Sequence, residues 1–173
     1  LQLGHDVHLV VPKYTGDEEE QPRLHRLPAK PVPFDPEDRL MSVSQVCNLV
    51  SVLHFENPFD VIHIQTPFIA HRAGKRVARQ FDIPVIETYH THFEEYMHNY
   101  VPFIPRWVFK PLIRFFTRKQ CQNLQALITP STAMLKVIDD YGVKIPTCIL
   151  PTGIDPEIFK SGNKEKFRDC HGI

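Results

Sequence analysis

Six short runs rich in Val, Ile and Leu, bounded by Pro, Gly or Asp and separated by stretches of helical spacing, constrain this chain more than any other feature. They are HDVHLVVP (5–12), RLHRLP (23–28), FDVIHIQ (59–65), IPVIETYH (83–90), ALITPS (126–131) and TCILP (147–151), and their composition predicts strands. Between them, residues 36–56, 68–81, 104–125 and 131–141 space apolar side chains as helices do, the last opened by Ser131 as an N-cap and closed by Gly142. Strand then helix, repeated, with strands apolar almost throughout, implies an α/β chain built on a doubly wound parallel sheet whose crossover helices shield both faces. Residues 12–23 are acidic with Gly and Pro and read as a mobile surface loop, and the proline-rich stretch 27–38 reads as extended. No internal repeat is present.

The composition excludes several classes. Of 173 residues, 42% are apolar and 23% charged, which suits a soluble globular chain rather than a disordered one. Twenty Lys and Arg balance 20 Asp and Glu, so net charge gives no sign of nucleic acid. The distribution is uneven: no Asp or Glu lies between Glu95 and Asp139, an interval that holds Arg106, Lys110, Arg114, Arg118, Lys119 and Lys136. One surface is therefore expected to be locally basic. Cys47, Cys121, Cys148 and Cys170 are too far apart in sequence to suggest zinc or a disulfide framework, and read as reduced thiols in a cytoplasmic protein. No apolar run reaches the roughly 18 residues of a membrane-spanning helix. The opening LQLGHDVHLVV lacks Met and reads as the interior of a fold, with a first strand expected upstream.

Open parallel sheets bind ligands beyond the carboxyl ends of their strands. Four ends qualify: Gln65-Thr66-Pro67, Thr88 to His92, Thr129-Pro130-Ser131 and Pro151-Thr152-Gly153. A nicotinamide-dependent enzyme would carry an acid at the end of its second strand, where this chain has Pro12 and Lys13. His90 follows an apolar strand, where a neutral imidazole can donate to a ligand hydroxyl or stabilise developing charge; the competing reading is a histidine satisfied by backbone. If the strand continues, His92 shares its face. Two imidazoles without a third ligand do not make a metal site, so none is expected. Thr91 and Ser131 offer hydroxyls for sugar or phosphate oxygens, and Ser131 sits at a helix start that favours anions or serves as a plain N-cap. Glu87, Glu94 and Glu95 lack the opposed geometry of a glycosidase pair and read as solvated charge. His5, His8, His54, His63, His71 and His98 show no ligand pattern.

In PRWVFKPLIRFFTRKQ (105–120), Arg106, Lys110, Arg114 and Arg118 recur every four residues, while Trp107, Val108, Leu112, Phe115 and Phe116 occupy the remaining arc. A helix so divided suits a membrane interface. It equally suits a crossover helix with its apolar face on the sheet and its cations in water. Pro111 is a candidate kink.

With those residues in view, GHDVHLVVP resembles the second strand of retaining glycosyltransferases of family four, FDVIHIQTPFIAHRAGKRVARQFDIPVIETYHTHF their long central segment, ALITPSTAMLKVIDDYGV the next strand and helix, and CILPTGIDPEIF the turn before their second domain. TYHTHFEEY with the basic, aromatic stretch after it looks most like bacterial glucosyltransferases acting on diacylglycerol. Thr152 stands where that family often has Asn. The resemblance implies one half of a two-domain GT-B fold: residues 1–155 as a Rossmann-like acceptor domain lacking its first strand, and 156–173 as a connector towards a nucleotide-sugar domain. It implies front-face transfer of a hexose, glucose from UDP-glucose, to a lipid such as diacylglycerol, without cofactor or metal, with the fragment alone inactive. His90 would assist catalysis, and Thr91, His92, Ser131 and Gly153 would contact substrate. Arg106, Trp107, Lys110, Arg114, Phe115 and Arg118 would hold the protein peripherally on the anionic inner face of the cell membrane. The implied partners are the nucleotide sugar, the lipid, that membrane and the chain's own second domain, not nucleic acid. The alternative is a non-catalytic Rossmann-like module that binds a small molecule or protein.

Overall fold

The Val- and Ile-rich runs form most of the strands, and the computed structural model describes residues 3–14, 16, 21–32, 35–90, 106–157 and 162–172. Strand β1 (Leu9–Pro12) pairs in parallel with β2 (Leu24–Leu27). Strands β3 (Ala29–Val32) and β4 (Asp35–Met41) form an antiparallel hairpin with a register shift between Pro31 and Val32. Helix α1 (Val43–Glu56) follows. Then β5 (Ile62–Ile64), β6 (Val85–Thr88), β7 (Ala126–Thr129) and β8 (Thr147–Ile149) build a four-stranded parallel sheet in that spatial order. The crossovers are α2 (Ile69–Phe81), α3 (Arg106–Cys121) and α4 (Thr132–Asp140). Helix α5 (Lys164–His171) is capped by Asn163, whose side chain accepts from the Lys166 N–H at 2.9 Å.

The expected α/β alternation is present, with one revision. Residues 36–42, read as the start of a helix, belong to β4 and the turn into α1. Pro36 lies in that stretch and cannot donate inside a helix, whereas pairing with β3 aligns Leu40 with Lys30 and Met41 with Ala29. Met41 thereby packs against the cluster formed by Val46 and Cys47 of α1 with Ala73 and Val77 of α2.

Register sets which side chains share a face, because direction alternates along each strand. Ile64 pairs with Glu87 and Glu87 with Leu127, so Ile64, Val85, Glu87, Tyr89, Leu127 and Thr129 point one way. The apolar members of that face meet Ala78 of α2, Ile113 and Cys121 of α3, and Ile138 of α4 in one cluster. Leu127 and Ile138 are fully buried, each contributing roughly 1.5–3 kcal/mol relative to exposure. Gly74 lets α2 approach β5, since a Cβ there would sit 2.9 Å from Ile64 Cγ1. The opposite face carries His63, Ile86, Thr88, Ala126, Ile128 and Cys148, and its upper rim holds the candidate site.

Candidate functional site

Period two places His63 and Gln65 on one face at the end of β5, and Thr88 and His90 on the same face at the end of β6. His63 pairs in register with Ile86, so Thr88 is its diagonal neighbour, within reach of a long side chain. The side chains join in one hydrogen-bonded chain. His90 Nε2 lies 2.9 Å from Gln65 Oε1. The Gln65 amide nitrogen lies 3.3 Å from His63 Nδ1 and 3.1 Å from its Nε2, and His63 Nε2 lies 2.7 Å from Thr88 Oγ1. Beneath them, Tyr89 donates its N–H to the Ile128 carbonyl at 2.8 Å, which continues the β6–β7 ladder to the residue before His90. His90 itself is exposed, as a ligand-facing imidazole must be.

His63 is held below the ordinary imidazole value of 6.5, first by desolvation and then by the nearby His90. His25 is lowered likewise by burial and by His8, whose ring stacks on it. A folded state that resists protonation binds fewer protons than the unfolded chain. Its stability is therefore full above the unfolded value of 6.5 and falls as pH drops through the lower folded values. Because His63 is exposed and His25 half-buried, urea midpoints should decline only slightly on acidification from about pH 7 to about pH 5, and His63→Gln should flatten part of that decline. A variant with the parental slope would remove His63 from the account.

The remaining sequence candidates fall elsewhere. The Ser131 hydroxyl accepts from the Met134 N–H at 3.2 Å as the N-cap of α4. Gly153 is exposed, and a Cβ there would meet nothing within 4 Å. Neither shares a hydrogen bond with the His90 chain among the described residues. Thr91, His92, Glu94 and Glu95 lie outside the described residues, and Arg106 and Trp107 open α3 with side chains outside them too. Sequence reasoning passed over His63; its spacing of two from Gln65, on the strand beside Thr88 and His90, was the signal that could have found it. Among the described residues no group of three or more His, Cys, Asp or Glu side chains is gathered as a metal would require.

Glu87 is a correction. It was expected to be solvated and is 2% exposed, because parity turns it towards α2 and α3 between Val85 and Tyr89. Its Oε2 lies 2.7 Å from His71 Nδ1, and its Oε1 accepts from Gln120 Nε2 at 2.8 Å.

Helix α3 runs unbroken through Pro111. Ile113, Thr117, Gln120 and Cys121 form its buried stripe, and desolvation pushes the Cys121 thiol up to about 12. Leu112, Phe115 and Phe116 are 59%, 63% and 51% exposed, so this apolar arc faces away from the sheet. Lys110, Arg118 and Lys119 are exposed beside it, and Lys110, Pro111, Arg114, Phe115 and Arg118 line one shallow groove. Arg118 donates through Nε to the Tyr141 carbonyl at the C-terminus of α4, where a cation complements the helix dipole. The Arg114 guanidinium lies 5.9 Å from the centre of the Tyr141 ring.

Residues 1–158 match Glycosyltransferase Family 4. The chain belongs to that family. An alpha-monoglucosyldiacylglycerol synthase of Streptococcus pneumoniae (strain ATCC BAA-255 / R6) is 34% identical over 121 residues, covering 66% of this chain and 26% of that protein. An enzyme of the same name from Acholeplasma laidlawii is 27% identical over 165 residues, covering 91% of this chain and 40% of that protein. The glycosyltransferase family 4 chain thus spans less than half the length of these relatives. Sucrose-phosphate synthase from Thermosynechococcus elongatus superposes with a TM-score of 0.66 at 15% identity, over 99% of this chain and 44% of that one. At that identity the likeness establishes the fold, a GT-B Rossmann-like domain.

Proposed function

We propose that this chain supplies the acceptor side of a retaining glycosyltransferase that moves a hexose, glucose from UDP-glucose, onto diacylglycerol or a similar lipid at the inner membrane surface. The observation that carries the reading is α3: Leu112, Phe115 and Phe116 stand exposed beside Lys110, Arg118 and Lys119. Apolar side chains beside cations suit an anionic bilayer interface, and both relatives above bear the name of a diacylglycerol-modifying synthase. No helix among the described residues is long and apolar enough to cross a membrane, so contact through α3 would be peripheral.

In this reading the acceptor hydroxyl enters over the ends of β5 and β6, and His90 meets the sugar there. The nucleotide's phosphates are held chiefly by a second, nucleotide-sugar domain, and transfer runs on one face of the sugar without a metal. Thr91, His92, Ser131 and Gly153 would contact substrate in this reading.

Transfer from a panel of labelled nucleotide sugars to diacylglycerol in vesicles, with the anomeric configuration of the product read by NMR, tests the reaction. Retained configuration and a lipid product are expected; an inverted product or a strict preference for soluble acceptors overturns the reading. Co-sedimentation with anionic vesicles tests the surface. At about 1 kcal/mol per cation, changing Arg106, Lys110, Arg114 and Arg118 to Gln should weaken partitioning by roughly 100-fold or more. Binding indifferent both to lipid charge and to the substitutions would remove the membrane role.

A further inference from the structure

Carboxamides have one accepting and one donating end, so an amide wedged between two imidazoles imposes a direction on the proton positions of both rings. Gln65 is so placed. Its carbonyl oxygen faces His90 Nε2 at 2.9 Å and its nitrogen faces the His63 ring. With the amide in that orientation, His90 Nε2–H donates to Gln65 Oε1 and the Gln65 N–H donates into the His63 ring. The other contact of that ring, Nε2 to Thr88 Oγ1 at 2.7 Å, can run in either direction, because a hydroxyl both donates and accepts. The far end of this chain is anchored, because Thr88 is buried in β6 and its backbone pairs in register with Ile128. Turning the amide over would present its N–H to His90 Nε2 and move the His90 proton to Nδ1. The tautomer of an exposed ring is thus decided by a neighbouring strand.

We propose that Gln65 is a positioning residue that holds His90 as the Nε2–H tautomer, with the His63 ring receiving the other end of the amide. The ring's lone pair then lies on Nδ1, which has no partner among the described residues, and a sugar or acceptor hydroxyl meets an acceptor nitrogen there rather than a donor. An isolated imidazole divides its population between tautomers, and a ring that must reorganise before each turnover loses rate. The inference rests on the reading of His90 as the site histidine, but its structural half can be measured without any substrate.

Long-range proton–nitrogen NMR on full-length protein labelled with 15N-histidine reports the tautomer directly, with the His90 signals assigned by their loss in His90→Ala. The expected parent spectrum shows His90 as Nε2–H. Gln65→Leu should populate both tautomers and lower kcat by about 10- to 100-fold, the scale on which partners that orient metal-bound histidines act, with KM for the sugar donor changed by less than about 3-fold. Gln65→Glu retains an acceptor at the same reach. It should keep the Nε2–H form and recover part of kcat, a rescue that a merely structural side chain would not give. A parent ring protonated on Nδ1, or a Gln65→Leu protein with parental tautomer or kcat, overturns the positioning role. Undiminished turnover in His90→Ala overturns the catalytic reading beneath it, a result distinguishable because the tautomer measurement stands apart from it.

Discussion

His90→Ala in the full-length protein should lower hexose transfer by about 100- to 10,000-fold, the range for a positioned acid–base or hydrogen-bonding side chain, while circular dichroism and the unfolding midpoint stay at parental values. Stability should hold because His90 is exposed and its hydrogen bond to Gln65 lies at the rim; water can replace the ring at Gln65 Oε1 with little penalty. On the proposed reading, activity should fall because a sugar entering over the ends of β5 and β6 would lose the side chain that is both exposed and held by a neighbouring strand. Comparing kcat with KM separates two roles. A loss mainly in kcat means that His90 acts on the charge that develops as the bond to the nucleotide breaks, and a loss confined to KM means uniform binding of the sugar. Parental kcat/KM in a folded His90→Ala protein would eliminate the assignment.

Much of this arrangement was legible from residue order. The strands ending at Thr88 and Thr129 and the helices over 69–81 and 132–140 appeared where apolar period and caps placed them, with Ser131 capping α4. Period signals are local, and these elements obey local rules. The β3–β4 hairpin did not, since DPEDRLM has little intrinsic strand preference and becomes a strand only by pairing with Ala29–Val32. Glu87 illustrates the other failure. Alternation tells which face a side chain takes, but not that His71 and Gln120, 16 residues before it and 33 after, converge on that face to receive a carboxylate. The His63–Gln65–His90 chain was half visible, because the spacing of two is in the sequence and the register that sets β5 beside β6 is not.

Glu87→Leu should destabilise the protein by about 2–4 kcal/mol, the scale for removing a buried carboxylate from its hydrogen-bond partners, measured as a lower urea midpoint at unchanged slope. The carboxylate is 2% exposed and is bonded on one oxygen by His71 of α2 and on the other by Gln120 of α3, so its loss removes the partner of His71 Nδ1 and leaves Gln120 Nε2, among the described residues, with only the Pro67 carbonyl at 3.3 Å. Lys75 sits beside them, its ammonium donating to the Gln122 carbonyl at 2.5 Å. Its pKa is lowered by burial, against which Glu87 pulls upward. Removing the carboxylate therefore also withdraws the charge that favours ionised Lys75. Glu87→Gln keeps the volume and one acceptor and should lose only about 1–3 kcal/mol. The double change His71→Leu with Glu87→Leu should be more stable than Glu87→Leu alone, because apolar groups then replace both members of the pair. A Glu87→Leu protein within about 1 kcal/mol of the parent would show that the pair merely breaks even with a leucine side chain. The consequence reaches α3, since Glu87 ties the buried stripe of that helix to the centre of the sheet and so fixes which arc carries Leu112, Phe115 and Phe116 outward. On the proposed membrane reading, Glu87→Gln, which can still accept from Gln120, should keep vesicle binding near the parental level, while Glu87→Leu should weaken it.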